Sequence, residues 1–245
     1  MKRFLMLTAA FLLILALITG YSKPQTLPAV TESTTISAAE TIPAETEGDV
    51  AAVYSRQIAR YYTAISQQWD EGAYWDHEMS ALAAYYYEGT PLENIGFAFM
   101  DLDGNGIQEL LIGAILASDR DPLVFEIWTI RNGEPAMLAQ SGSHNRYYLQ
   151  YAQEDDLWSV AYVAENGAAN HAEYYLQLQD GEFNVTQGVI FDAFANEKAP
   201  WFMTYDMDWD VSNDTPIDEA TADAVLKAGR DIYAAQEYFP YSLYK

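Results

Sequence analysis

The chain has 245 residues, 50% of them hydrophobic and 14% aromatic, enough apolar material for one sizeable core. Its 12 Lys and Arg face 36 Asp and Glu, a formal charge of −24, so its surface repels nucleic acid and anionic lipid and attracts cations. It contains no cysteine, which excludes disulfides, thiolate catalysis and sulfur-ligated zinc.

The first residues, MKRFLMLTAAFLLILALITG, set Lys2 and Arg3 ahead of an apolar run from Phe4 to Ile18 that closes on Thr19 and Gly20. That is the layout of an export signal, and the run is shorter than the ~20 residues of a spanning helix. A signal peptide over residues 1–20 is expected, with a retained anchor as the alternative. LITGYS resembles the lipobox of bacterial lipoproteins, with Tyr21 where the lipidated cysteine stands. Tyrosine has no thiol to carry the lipid, so a secreted or cell-envelope protein is expected. Residues 21–49 are dominated by Thr, Ala, Glu, Ser and Pro without apolar periodicity, a composition that reads as a flexible polar linker.

Residues 50–245 read as a single α+β domain, an antiparallel β meander with two N-terminal helices and one C-terminal helix. Tyr54, Ile58, Tyr61, Ile65 and Trp69 recur every three to four residues, as one face of an amphipathic helix requires. A second helix is predicted over Trp75–Tyr87, stopped by Gly89 and Pro91. Short β-rich runs follow: LLIGAIL, LVFEIWTI, PAML, RYYLQY, LWSVAYV, HAEYYLQLQ and FNVTQGVIF. Asn132–Gly133 and Asp180–Gly181 mark hairpin turns. Thr215, Pro216 and Asp218 suggest a helix start, with the helix running to about Gln236 and Ala222, Val225, Leu226, Ile232 and Tyr233 facing inward.

Between two apolar runs lies DLDGNGIQELLIGA, residues 101–114. Counted from Asp101, side-chain oxygens fall at positions 1, 3, 5 and 9 on Asp101, Asp103, Asn105 and Glu109, and position 7 offers the backbone carbonyl of Ile107. A hard cation such as calcium takes 6–8 oxygens at about 2.3–2.6 Å, and alternate residues of a tight loop can converge to supply them. Gly104 and Gly106 permit the tightness. An EF-hand would need a glutamate at position 12, where Ile112 stands, and LLIGAIL reads as a buried strand. The loop is therefore expected to join strand to strand. The alternative is a glycine-rich hairpin with solvated acids.

On these residues the loop resembles the calcium loop of FG-GAP repeats, the blades of integrin-type propellers; Asp101, Asp103, Asn105, Glu109, Gly113 and Ala114 match its pattern. The resemblance covers residues 97–115 and implies calcium held by the four side chains and the Ile107 carbonyl. FG-GAP proteins carry several such repeats, and this chain shows one. The layout of signal, stalk, helices, loop and meander resembles exported lipoproteins of Gram-positive bacteria.

YDMDWD places Asp206, Asp208 and Asp210 on one face of a predicted strand, solvated or able to hold a second cation. Glu154–Asp156 reads as a turn. His77 lacks the second histidine of a zinc-protease helix because Ala81 stands there, and His144 has no nucleophile elbow nearby. His171 needs no special role. Trp128, Tyr147, Tyr148, Trp158, Tyr162, Tyr174 and Tyr175 read as core, or alternatively as a platform for sugar rings. The expectation is a non-enzymatic, calcium-binding structural or binding module. Carbohydrate or cell-wall binding through sheet aromatics is the alternative, and a glycoside hydrolase with paired carboxylates a third reading. Expected partners are calcium and a cell-wall polysaccharide or surface protein, not nucleic acid, nor the membrane once the signal is removed.

Overall fold

The computed structural model describes residues 50–115 and 122–244; the expected signal peptide and linker lie outside them. Helix α1 (Ser55–Ser66) carries the spacing that the sequence suggested, and Tyr54, Ile58, Tyr61, Ala64 and Ile65 are buried along one face. The second predicted helix is interrupted. Helix α2 (Glu71–Asp76), capped by the Asp70 carboxylate accepting from Ala73 N at 2.9 Å, ends early, and a separate 3-10 segment covers Ala81–Tyr86. The break lies where Glu78 adopts φ 55° and Ser80 N donates to Glu126 Oε1 at 3.0 Å, so a tertiary bond replaces the helical one. Among the described residues no helix is long and apolar enough to cross a membrane.

A short helix, α3 (Pro91–Asn94), leads into an antiparallel sheet of eleven strands. These are β1 (Ile95–Met100), β2 (Glu109–Ala114), β3 (Leu123–Arg131), β4 (Glu134–Gln140), β5 (Asn145–Ala152), β6 (Leu157–Glu165), β7 (Asn170–Gln179), β8 (Glu182–Asp192), β9 (Trp201–Thr204), β10 (Thr215–Ile217) and β11 (Phe239–Pro240). The meander is interrupted at β3, whose first residues pair with β5 while Glu126–Arg131 pair with β4. At one edge the chain returns, and β11 pairs with β1.

The sheet has two faces with separate cores. Ile95, Phe97, Leu110, Ile112, Phe125 and Trp128 pack under α1. Ala98, Leu111, Val124 and Ile127 share a second core with Leu149, Val160, Tyr174, Leu176 and Ile190 from β5–β8. The sheet curls to achieve this: the β3–β4 turn meets the β7–β8 turn, where the Arg131 guanidinium donates to the Gly181 carbonyl. Burial of each such large apolar side chain stabilises the fold by about 1.5–3 kcal/mol.

Helix α4 (Glu219–Asp231) starts later than the sequence suggested. Pro216 pairs with Phe202 on edge strand β10, a position that tolerates a residue without an N–H, and Asp218 caps the helix by accepting from Thr221 N at 2.8 Å. The helix stops at Asp231, short of Gln236, and Ile232 faces outward. Polar contacts hold α4 to the sheet. Arg230 donates to Glu173 Oε2 through Nε at 3.0 Å and through a terminal nitrogen at 2.7 Å, and Gln150 Nε2 donates to the Gly229 carbonyl at 2.7 Å. The YDMDWD acids are not on a strand. Strand β9 ends at Thr204, and each carboxylate accepts the N–H two residues on: Asp206 from Asp208 at 3.3 Å, Asp208 from Asp210 at 2.8 Å, Asp210 from Ser212 at 3.1 Å. Such local bonds compete with a sheet ladder and win here.

Candidate metal site

The loop between β1 and β2 is shaped by its own carboxylates. Asp101 Oδ1 accepts from Asn105 N at 3.1 Å and Oδ2 from Gly106 N at 2.8 Å, which draws the chain into a tight bend. Asp103 Oδ1 accepts from Asn105 N at 3.3 Å and Oδ2 from Asn105 Nδ2 at 3.0 Å. Gly104 and Gly106 adopt φ 72° and 85°, the left-handed backbone that a β-carbon would strain.

Glu109 closes the site from the first position of β2. Its side chain is fully buried; Oε2 accepts from Leu102 N and Oε1 from the Thr129 hydroxyl, both at 2.9 Å. Above all, burial pushes its carboxyl up from the ordinary 4.5 to about 7; the neighbouring charges of Asp103 and Asp101 push the same way, while the two hydrogen bonds pull it down. Tyr54, at the head of α1, donates to the Gln108 carbonyl at 3.0 Å and so ties the end of the loop to the helix.

The fold brings Asp101, Asp103 and Glu109 together: one oxygen from each lies within 4.8 Å of the other two. Among the described residues this is the one group of three or more acidic, histidine or cysteine side chains so placed. Asn105 and Ile107 stand differently. The Asn105 amide is engaged, with Nδ2 on Asp103 and Oδ1 accepting from Ile107 N at 2.6 Å. Ile107 turns its side chain to solvent. Spacing alone missed Thr129 and the Leu102 amide, the groups that orient Glu109. Only cross-strand pairing brings Thr129 opposite it.

The donor set consists of oxygens, three of them anionic, on a bend whose amides point at the carboxylates. That chemistry fits a hard divalent cation and gives a soft one no sulfur or imidazole. Calcium bound there would neutralise the mutual repulsion of three carboxylates.

The other acids and aromatics are placed otherwise. Burial raises the Asp214 carboxyl, helped by repulsion from Asp206, Asp208 and Asp210, but these acids do not converge as the first loop does. Trp128, Tyr174 and Tyr175 are buried. Tyr147 stacks on Tyr162 at 4.7 Å, and Tyr162 on Tyr174 at 5.8 Å, so these rings pack across β5, β6 and β7. Comparison with known proteins finds no family model, no curated protein and no solved structure that matches the chain.

Proposed function

We propose that the chain is an exported, non-enzymatic module of the cell envelope or extracellular space that binds one calcium ion in the Asp101–Glu109 loop. The convergence of Asp101, Asp103 and Glu109 oxygens within 4.8 Å carries this reading. The export signal read from Lys2, Arg3 and the apolar run to Ile18 supports the location. Three carboxylates against one divalent ion leave a net charge near −1, which suits the weak affinities of extracellular modules, about 10⁻⁴–10⁻³ M. The ion's role is structural: it holds β1 to β2 where the helix layer meets the sheet.

The test is thermal unfolding with calcium and with chelator. A ligand at about ten times its Kd stabilises by about 1.4 kcal/mol, which raises the Tm of a domain of this size by roughly 3–6 °C. Asp101→Ala removes both a ligand oxygen and the acceptor of two loop amides, and abolishes the rise. A rise of equal size in the variant would refute the assignment.

A further inference from the structure

The dipeptide Asn-Gly occurs three times among the described residues, at Asn105–Gly106, Asn132–Gly133 and Asn166–Gly167. Its intrinsic chemistry is the same each time. The glycine nitrogen attacks the asparagine side-chain carbon, its proton is lost and ammonia departs, leaving a five-membered succinimide. Water then opens that ring at either carbonyl to give aspartate or isoaspartate. Glycine favours the attack because no β-carbon shields its nitrogen. Which sites react therefore depends on whether the fold leaves the two groups free.

Asn132 and Asn166 are exposed, and among the described residues neither side chain, nor the N–H of Gly133 or Gly167, has a hydrogen-bond partner. Asn105 is held at every point. Nδ2 donates to Asp103 Oδ2 at 3.0 Å, Oδ1 accepts from Ile107 N at 2.6 Å, and the attacking nitrogen on Gly106 donates to Asp101 Oδ2 at 2.8 Å. The surrounding carboxylates also oppose the negative charge that develops on the attacking nitrogen.

We propose that Asn105–Gly106 is a latent modification site: the closed loop keeps it unreactive, and opening of the loop converts Asn105 to aspartate or isoaspartate. The two products act differently. Aspartate adds a fourth carboxylate to the loop and strengthens its pull on a cation. Isoaspartate routes the backbone through the side-chain methylene and so displaces Ile107 and Glu109 from their spacing. The inference stands on the hydrogen bonds of the loop, and it draws on the calcium reading only for the direction in which the ion moves the rate.

The experiment incubates the full chain under warm, mildly alkaline conditions and follows all three asparagines by peptide mapping with mass spectrometry. Asn105 reacts more slowly than Asn132 and Asn166, on the order of tenfold or more, as protection by local closure requires. Asp101→Ala, and independently Asp103→Ala, speeds Asn105 alone. Equal rates at the three sites of the unsubstituted protein would overturn the proposal. So would a joint acceleration of all three in both variants, which would place the protection in the whole fold, or no acceleration of Asn105 in either. Chelator that speeds Asn105 relative to calcium supports both readings. If both variants speed Asn105 while calcium and chelator give equal rates, the carboxylates alone guard the site; this proposal stands and the calcium assignment falls.

Discussion

Thr129 donates its hydroxyl to Glu109 Oε1 at 2.9 Å across the β2–β3 pair, a hydrogen bond between two fully enclosed side chains. It fixes the one carboxylate of the loop that enters the core. Thr129→Val keeps the shape and removes the donor, leaving a buried carboxylate oxygen unpaired at about 1–3 kcal/mol. The variant loses that much stability by denaturant titration and, on the proposed calcium site, also weakens calcium binding. Full stability together with undiminished affinity would show that Thr129 does not position Glu109.

The raised carboxyl of Glu109 gives the protein in chelator a defined pH dependence. The folded state holds the proton more tightly than the unfolded chain does. This contribution to stability is therefore fully present below the unfolded value of 4.5 and is lost as pH rises through the folded value of about 7. Glu109→Gln remains neutral throughout, so the difference in Tm between the variant and the parent in chelator should grow in the variant's favour across that window. A constant difference would place the carboxyl in an ordinary solvated setting.

Glu126 is a second buried acid, surrounded by donors. Its Oε1 accepts from the Tyr61 hydroxyl at 2.8 Å, Ser80 N at 3.0 Å and Gln140 Nε2 at 3.2 Å, and its Oε2 from Trp128 Nε1 at 2.9 Å. A carboxylate only accepts, whereas an amide carries two N–H groups that must face donors somewhere in this shell. Glu126→Gln is therefore expected to lose about 2–3 kcal/mol, more than an amide at the exposed Glu134. Equal losses at the two positions by urea unfolding would contradict the network.

Helix α1 and the hairpin turns were readable from the sequence because they rest on local rules. Apolar spacing placed Ile58, Tyr61 and Ile65 inward, and Asn132–Gly133 and Asp180–Gly181 adopt the positive φ angles that such turns require. The spacing of Asp101, Asp103 and Glu109 likewise anticipated their convergence. What escaped depended on partners far along the chain. Ser80 breaks the second helix because Glu126, 46 residues away, takes its N–H. Glu126 and Glu173 lie within predicted strands whose pattern shows no place for a buried acid, and donors far along the chain, Tyr61 and Ser80 for the first and Arg230 for the second, help to make those places tenable. Alternation misled at Asp206–Asp210, where side chain to backbone bonds supply turns in place of a strand.

The seam between α4 and β7 is closed by a glycine. A β-carbon on Gly229 would overlap the ring of Tyr175, whose hydroxyl donates to Glu173 Oε1 at 3.1 Å and to the Val225 carbonyl at 3.3 Å. Alanine is the better helix former by about 1 kcal/mol, so an open seam would make Gly229→Ala stabilising. Here the helix must lift from the sheet. That movement pulls the Gly229 carbonyl from Gln150 and Arg230 from Glu173, and overpacking of this kind costs about 1–3 kcal/mol beyond the gain in propensity. Equilibrium unfolding of G229A should show a net loss, and the paired variant G229A/Y175L should recover part of it by removing the ring. A gain in stability from G229A alone would mean that α4 does not lie this close to Tyr175.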